Sequence, residues 1–195
     1  MILITLRLGI CENLSNRIRN HNLIIFKGPN IILPMKTLYI VRHAKSSWAF
    51  DLPDHDRPLG KRGRKDVTRM GNYLNQHQRK PEVLISSTAS RAFYTALYLC
   101  DQMKIDEGKI KLSKDLYHAG VFEIISIIQK APRCDVLAIF GHNPGFTSAC
   151  NVLANTEIDN IPTCGIVGVT FEIDKWSQLS EGSGNQLFYY YPKGI

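Results

Sequence analysis

The chain has 195 residues, of which 44% are hydrophobic and 21% charged, and its formal net charge is +7. This composition excludes collagen-like, low-complexity and wholly disordered proteins, and no apolar run reaches the roughly 18 residues that a membrane span needs. A chain of this length buries roughly 70% of its unfolded surface, so its core needs no disulfide or structural metal. The positive charge favours an anionic partner, such as nucleic acid, a membrane surface or a phosphorylated substrate.

From residue 36 onward, segments typical of strands and helices alternate. In chain order they are a strand at 37–41, a helix at 61–76, a strand at 82–86, a helix at 89–103, a short edge strand at 109–112, a helix at 121–129, a strand at 135–140, a helix at 146–154 and strands at 165–173 and 186–191. This alternation predicts a three-layer α/β/α domain around a mainly parallel central sheet.

Residues 1–34 differ in pattern from the rest of the chain. The first ten residues are too short and too interrupted for a secretory signal, and no basic residue precedes them. We expect 1–34 to be a poorly packed N-terminal extension, or Met35 to be the true start, with 35–195 forming the folded domain. An amphipathic targeting arm is the alternative for the first 34 residues.

The cysteines give no sign of a disulfide framework or a zinc site. Their number is odd, no CxxC pair occurs, and none has zinc-like spacing with histidine. They are Cys11, Cys100, Cys134, Cys150 and Cys164. We therefore predict a reduced, cytoplasmic protein that requires no metal and no cofactor.

Three predicted strands are followed by residues that can bind and attack a phosphoryl group. The strand at 37–41 runs directly into Arg42 and His43, Arg91 lies in the first turn of the helix after the second strand, and His142 follows the strand at 135–140. Ligands of α/β sheets collect beyond the carboxyl ends of the strands. We therefore expect two histidines and two arginines to meet in one crevice. Taken alone, the segments at 42–46 and 141–145 are typical of surface turns, and Arg91 is typical of a solvated helix residue.

Such a cluster has the chemistry of covalent phosphoryl transfer. Two guanidinium groups bind a phosphoryl group through several charge-assisted hydrogen bonds. A neutral imidazole can attack phosphorus, and neighbouring arginines keep it neutral by lowering its pKa. A second imidazole and the N-termini of the following helices can donate hydrogen bonds to the phosphoryl oxygens.

Six stretches of the sequence carry a resemblance to a known family. They are RHAKSSW at 42–48, DRPLGKRG at 56–63, ISSTASRAFYTA at 85–96, LYHA at 116–119, GHNPG at 141–145 and NIPTCGIV at 160–167. In this order they resemble the histidine phosphatase superfamily, which has the phosphoglycerate mutase-like fold, and within it the short phosphohistidine phosphatase branch of SixA type. The resemblance covers about residues 36–192.

The resemblance implies a single compact domain without a large cap insertion, and it implies roles for individual residues. His43 matches the histidine that becomes phosphorylated, in an Arg-His-Gly-like motif with Ala44 in the glycine position. The residues implied to form the phosphate pocket are Arg42, Arg91 and His142, with Ser46 and Asn143 as further substrate-binding residues. An asparagine that follows the tryptophan in the wider superfamily is replaced here by Ala49.

The general acid is the largest departure from the superfamily, whose phosphomonoesterases use a Glu or Asp after the third strand. Asp115 and His118 lie near that position and are the candidate general acids, although neither is an obvious substitute. The alternatives are acidic residues that reach in from loops, namely Asp54, Asp56 and Glu123. Without an acid, protonated phosphohistidine is a better substrate than an alkyl phosphate, because an alkoxide leaves poorly without a proton.

The sequence therefore predicts a metal-independent phosphatase that acts through a phosphohistidine intermediate, with phosphohistidine on a partner protein as substrate. Two alternatives are the same chemistry on a small phosphorylated metabolite and a non-catalytic phosphate-binding protein. We expect no nucleic-acid partner, because the aromatic cluster at 189–191 has only Lys193 beside it. We expect no membrane partner, and a monomer or weak dimer.

Overall fold

The computed structural model describes residues 35–195, so the prediction for 1–34 lies outside the described part of the chain. The strands are β1 (Lys36–Arg42), β2 (Val83–Ser87), β3 (Ile110–Ser113), β4 (Val136–Gly141), β5 (Ile166–Phe171) and β6 (Gly184–Tyr190). The helices are α1 (Lys61–His77), α2 (Ser90–Met103), α3 (Val121–Gln129) and α4 (Gly145–Ala154). Among residues 35–195, no helix is long and apolar enough to cross a membrane.

The six strands form one mixed sheet with the order β3-β2-β4-β1-β5-β6. Strands β3, β2, β4 and β1 are parallel to one another, whereas β5 runs antiparallel to β1 and β6 antiparallel to β5. The predicted α/β class is confirmed, but the sheet is mixed rather than mainly parallel. For β5 and β6 the physical reason is that only a short 3₁₀ turn (Trp176–Gln178) and no α-helix lies between them, so this pair needs no crossover connection.

Successive side chains of a strand point to opposite faces of the sheet, so the apolar strands contribute to two cores, one on each face. In β1, Leu38 and Ile40 pack with α3 and α4, whereas Tyr39 and Val41 pack with α1 and α2. All four side chains are at most 1% exposed. A strand that is apolar on both faces belongs in the middle of a three-layer domain, and this central position fixes the residues that follow β1.

The carboxyl ends of β1, β2 and β4 lie side by side and carry the loops of the candidate site. Arg42 pairs with Gly141 in the parallel ladder, so His43 and His142 leave adjacent strands at the same level. Close packing holds these loops in place. A Cβ added to Gly63 would collide with the Lys45 carbonyl just after the β1 motif.

Candidate active site

His43 directly follows β1, and its hydrogen bonds define which ring nitrogen is free. Its Nδ1 lies 2.8 Å from the carbonyl oxygen of Ala44 and donates its hydrogen to that oxygen. The backbone around it is fixed as well, because the His43 N–H donates to the Gly141 carbonyl at 3.0 Å and the Ala44 N–H donates to Thr95 Oγ1 at 2.9 Å. The lone pair of His43 is therefore on Nε2, where it can attack phosphorus.

His142 faces His43 across the site, with 5.1 Å between the ring centroids. Its Nε2 lies 2.9 Å from Ser87 Oγ, which also accepts a hydrogen bond from the Ala89 N–H at 3.3 Å. A serine hydroxyl can accept this bond and still donate its own hydrogen to Nε2. In that arrangement, the ring hydrogen of His142 lies on Nδ1. This Nδ1 is buried and has no partner among the described residues.

Arg42, the last residue of β1, is held at one side of its guanidinium group. Its Nη1 donates to Asn160 Oδ1 at 3.2 Å and to the Ile161 carbonyl at 2.6 Å. Asn143 donates to the same two oxygens through Nδ2, at 2.7 and 3.0 Å. The Nε of Arg42 is buried and has no partner within residues 35–195, so the edge formed by Nε and Nη2 is available to a ligand.

Arg91, in the first turn of α2, is held in a similar way. It is 4% exposed, its Nη1 donates to the Asp54 carbonyl, and its Nη2 donates to Asp54 Oδ2 at 2.8 Å. Its Nε is buried and has no partner in the described part of the chain. Asp54 thus occupies the terminal edge of the guanidinium group and leaves the Nε side for a ligand.

The three unpartnered donors around His43 are the main chemical feature of the site. Buried donors are normally satisfied, because a buried donor without a partner costs about 1–3 kcal/mol. Arg42 Nε, Arg91 Nε and His142 Nδ1 together offer hydrogen bonds that the protein itself leaves unmade. A tetrahedral oxyanion such as a phosphoryl group satisfies such donors, and two guanidinium groups supply the matching charge.

Asp54, which the sequence analysis names only as an alternative acid from a loop, contacts Arg91 of the candidate site directly. Its Oδ1 accepts hydrogen bonds from Arg57, and its Oδ2 accepts from Arg91 and, at 2.9 Å, from the Tyr117 hydroxyl. Burial alone would raise the pKa of the Asp54 carboxyl, but these hydrogen bonds outweigh it and hold the pKa well below its usual range. Asp54 is therefore ionised and cannot serve as a proton donor near neutral pH.

Three further predicted residues, Ser46, His118 and Asp115, are not part of the cluster of two histidines and two arginines. Ser46 is 8% exposed and accepts a hydrogen bond from Arg57 at 3.1 Å, so it supports Arg57. The His118 ring lies 6.3 Å from that of His142, at the rim of the site. Asp115 is exposed, and no side-chain hydrogen bond within residues 35–195 connects it to the cluster.

Both histidines are held in the neutral form. Burial lowers the pKa of His43 to about 4, and the surrounding guanidinium groups act in the same direction while the Ala44 carbonyl opposes them. Burial likewise lowers the pKa of His142 to about 3, with further contributions from His43 and Arg91. A neutral His43 is nucleophilic at physiological pH.

These pKa values predict how the site responds to pH. In NMR titrations, the His43 and His142 rings should remain neutral at pH 5.5, whereas a histidine of the unfolded chain titrates near 6.5. Below pH 6.5 the unfolded chain binds protons that the folded chain does not, so the free energy of unfolding should decrease as the pH falls from about 6.5 towards 4. Urea unfolding at pH 7 and 5 should show a smaller decrease in a His43→Asn/His142→Asn variant. Ring titrations near pH 6.5 would contradict this prediction.

A cavity of about 260 Å³ opens beside His142 and extends towards His118, Val121 and Ser148. It is a size that accommodates part of a small organic group next to the phosphate pocket. A second cavity, of about 330 Å³, lies at the amino end of β1, where Lys36 and Trp176 line it. The second cavity contains none of the four clustered residues. Within residues 35–195, no group of three or more His, Cys, Asp or Glu side chains could hold a metal ion.

This fold and this pocket define an α/β protein with two neutral histidines and two arginines at the carboxyl edge of its sheet. The chain matches the model of the histidine phosphatase superfamily (branch 1) over residues 38–144. It therefore belongs to the histidine phosphatase superfamily. The matched region of the chain includes Arg42, His43, Arg91 and His142. The predicted resemblance to this superfamily is confirmed.

Individual proteins are similar to this chain in sequence or in fold. An uncharacterized chloroplastic protein of Arabidopsis thaliana is 28% identical over an alignment of 161 positions, and the match covers 76% of this chain and 72% of that protein. The structure of the protein histidine phosphatase SixA complexed with tungstate has a TM-score of 0.68 and 22% identity, and the match covers 80% of this chain and 97% of that one. Mycobacterial glucosyl-3-phosphoglycerate phosphatase has a TM-score of 0.54 and 12% identity, and covers 78% and 97% of the two chains. At these identities, the two structures show a shared fold.

Proposed function

We propose that this protein is a metal-independent phosphatase that forms a covalent phosphohistidine on His43 and dephosphorylates phosphohistidine on a partner protein. The observation that carries the proposal is the set of buried, unpartnered nitrogens at Arg42 Nε, Arg91 Nε and His142 Nδ1. The His142 ring lies 5.1 Å from the His43 ring, and both arginines are close enough to lower the pKa of His43. Membership of the histidine phosphatase superfamily supports phosphatase chemistry.

The site residues perform two successive displacements at phosphorus. Arg42 and Arg91 bind the phosphoryl oxygens, and His43 Nε2 attacks phosphorus while the bond to the leaving group breaks. His142 donates from Nδ1 to an oxygen whose negative charge increases in the transition state. Water then attacks the phosphorus of phospho-His43, the electron pair returns to Nε2, and phosphate leaves with the proton of the water.

The positions of Asp54, Asp115 and His118 favour a leaving group that needs no general acid. Asp54 is ionised and Asp115 lies outside the cluster, while His118 lies at the rim. The imidazole ring of a phosphohistidine can already carry a proton on its other nitrogen. When the bond to phosphorus breaks, the leaving nitrogen keeps the electron pair and the ring departs as neutral imidazole. An alkoxide has no such advantage.

The surroundings of the pocket support a protein as the substrate. The loop after β1 exposes large apolar side chains, with Trp48 73%, Phe50 60% and Leu52 44% exposed. The Trp48 ring stacks on the Arg57 guanidinium at 3.5 Å, which ties this loop to the residues that hold Asp54. Exposed apolar side chains beside a catalytic pocket are typical of a surface that contacts another protein.

A small-metabolite phosphatase is the second candidate, and a specific feature favours it. The 260 Å³ cavity beside His142 could enclose a small leaving group rather than a protein side chain. Mycobacterial glucosyl-3-phosphoglycerate phosphatase, which shares the fold, has a name that describes a small phosphorylated substrate.

A substrate panel separates these functions. We expect kcat/KM to be highest for a phosphohistidine protein, lower for an aryl phosphate, and lowest for a phosphoserine peptide and sugar phosphates. Faster turnover of a sugar phosphate than of phosphohistidine would favour the metabolite phosphatase, and no turnover of any substrate would favour a binding protein.

A metal chelator and a transition-state analogue test the chemistry independently of the substrate. EDTA should leave the activity unchanged, and orthovanadate, which resembles a five-coordinate phosphoryl transition state, should inhibit. A loss of activity with EDTA that zinc or magnesium restores would contradict the metal-independent mechanism.

A further inference from the structure

Asp54 brings a negative charge into a pocket that otherwise binds anions. Its carboxylate accepts hydrogen bonds from Arg57, Arg91 and Tyr117, and in addition its backbone carbonyl accepts from Arg91. Holding an arginine for phosphate binding needs only hydrogen-bond acceptors, and the Ile161 carbonyl and the Asn160 side chain hold Arg42 without any charge. An uncharged acceptor would therefore be enough to hold Arg91, and the carboxylate at Asp54 suggests that its negative charge has a role of its own.

Asp54 lies towards the mouth of the pocket. Its side chain is 45% exposed, whereas the side chains of Arg57 and Arg91 are 8% and 5% exposed. The Tyr117 hydroxyl that donates to Asp54 belongs to a ring 5.5 Å from the His142 ring. A substrate enters phosphoryl group first, because His43 lies at the end of the central strand, and its leaving group stays on the solvent side, where Asp54 is.

We propose that Asp54 is a specificity-determining residue that selects substrates whose leaving group is positively charged. This inference rests on the proposed phosphatase function and deepens it by naming the charge of the leaving group. A ring-protonated phosphohistidine or a phosphoramidate carries such a charge next to phosphorus, whereas carboxylated metabolites carry the opposite charge and are repelled. The carboxylate is ionised over the whole range in which His43 is neutral.

The charge acts on the first displacement. His43 Nε2 forms its bond to phosphorus while the bond between phosphorus and the protonated leaving group breaks, and the electron pair of that bond goes to the leaving nitrogen. The leaving group departs as a neutral amine or imidazole that keeps its proton, so no proton transfer from Asp54 is required. Attraction to Asp54 brings the cationic substrate into this position.

A pair of aryl phosphates isolates the effect of charge from that of leaving-group acidity. 3-Trimethylammoniophenyl phosphate and 3-nitrophenyl phosphate have phenols of similar acidity and differ in the charge of the ring substituent. We expect the protein to prefer the cationic ester by about tenfold in kcat/KM, a size typical of unit charges at a partly exposed site. In Asp54→Asn the preference should fall to about 1, and phosphoramidate should lose about tenfold more kcat/KM than 3-nitrophenyl phosphate.

Asp51→Asn is the matched control. Asp51 lies in the same loop, is exposed, and makes no side-chain hydrogen bond within residues 35–195, so the variant removes the same charge without removing a contact to Arg57, Arg91 or Tyr117. It should retain the preference for the cationic ester.

The outcome distinguishes selection by charge from simple positioning of Arg91. If Asp54 only positions Arg91, Asp54→Asn lowers kcat/KM equally for both esters, and the unchanged ratio overturns the proposal. The ratio in the unmodified protein gives a second test that needs no variant, because it should decrease as the salt concentration rises. A ratio that is independent of salt also overturns the proposal. Since both esters are generic substrates, these results stand whether or not a phosphohistidine protein proves to be the physiological substrate.

Discussion

The His43→Ala variant should have no turnover above the uncatalysed rate and should keep its fold. His43 Nε2 is the atom that we expect to form the bond to phosphorus, and no other nucleophile among the described cluster residues can replace it. The ring is partly exposed and its main hydrogen bond is to the neighbouring Ala44 carbonyl, so its removal leaves the sheet and both cores unchanged. Steady-state hydrolysis of an aryl phosphate and circular dichroism measure the two expectations.

His77→Ala is a suitable control for this variant. His77 is exposed at the end of α1, where its ring stacks on Tyr73, and its replacement should leave the rate unchanged. Acid-labile, base-stable phosphate should be trapped on the unmodified protein after rapid quenching and be absent from His43→Ala. Activity of His43→Ala similar to that of the unmodified protein would contradict the covalent mechanism.

Replacement of Arg91 is expected to produce the second largest loss. Arg91→Ala should lower kcat/KM by roughly 10³-fold, because a charge-assisted donor in a buried site contributes several kcal/mol to the transition state. The loss should be similar for phosphohistidine, aryl and alkyl phosphates, because all three share the phosphoryl group that Arg91 binds. Measurements of kcat/KM on one substrate of each class test this uniformity.

Arg91→Lys tests the geometry of the arginine and not only its charge. Lysine keeps the charge but cannot contact Asp54 with one edge and a phosphoryl group with the other. We expect Arg91→Lys to recover only a small part of the lost activity, whereas Arg62→Ala, at an exposed position of α1, should have no effect. A loss confined to one class of substrate would show that Arg91 contacts the leaving group instead.

Hydrophobic periodicity was sufficient to predict most elements of the fold. The helix predicted at 121–129 is α3 with the same bounds, because its apolar face lies between Gly120 and a Pro-containing turn that limit it on both sides. The directions of β5 and β6 could not be predicted in this way. A strand has the same alternation whether it runs parallel or antiparallel to its neighbour, so the direction depends on connections whose path the pattern does not encode.

In the candidate site, too, some residues can be predicted from the sequence and others cannot. His43, Arg91 and His142 were predictable because each directly follows a recognisable strand or begins the next helix, and the structure brings them together. Asp54 begins a single 3₁₀ turn (Asp54–Asp56) and Asn160 lies in a loop, and segments this short have no periodic signal that indicates which way a side chain points. Asp54 reaches Arg91 across 37 positions of sequence, a contact that only the folded chain creates.

The hold on Arg42 by the Asn160 side chain and the Ile161 carbonyl has a consequence for how the protein acquires activity during synthesis. These two contacts join parts of the chain that are 118 and 119 positions apart. The ribosome therefore releases the nucleophile-bearing strand long before the segment that fixes its neighbouring arginine, and closing so long a loop is slow. We expect nascent chains that end before residue 160 to lack catalysis even where β1, β2 and β4 have already paired, so that the appearance of activity reports the completed polypeptide.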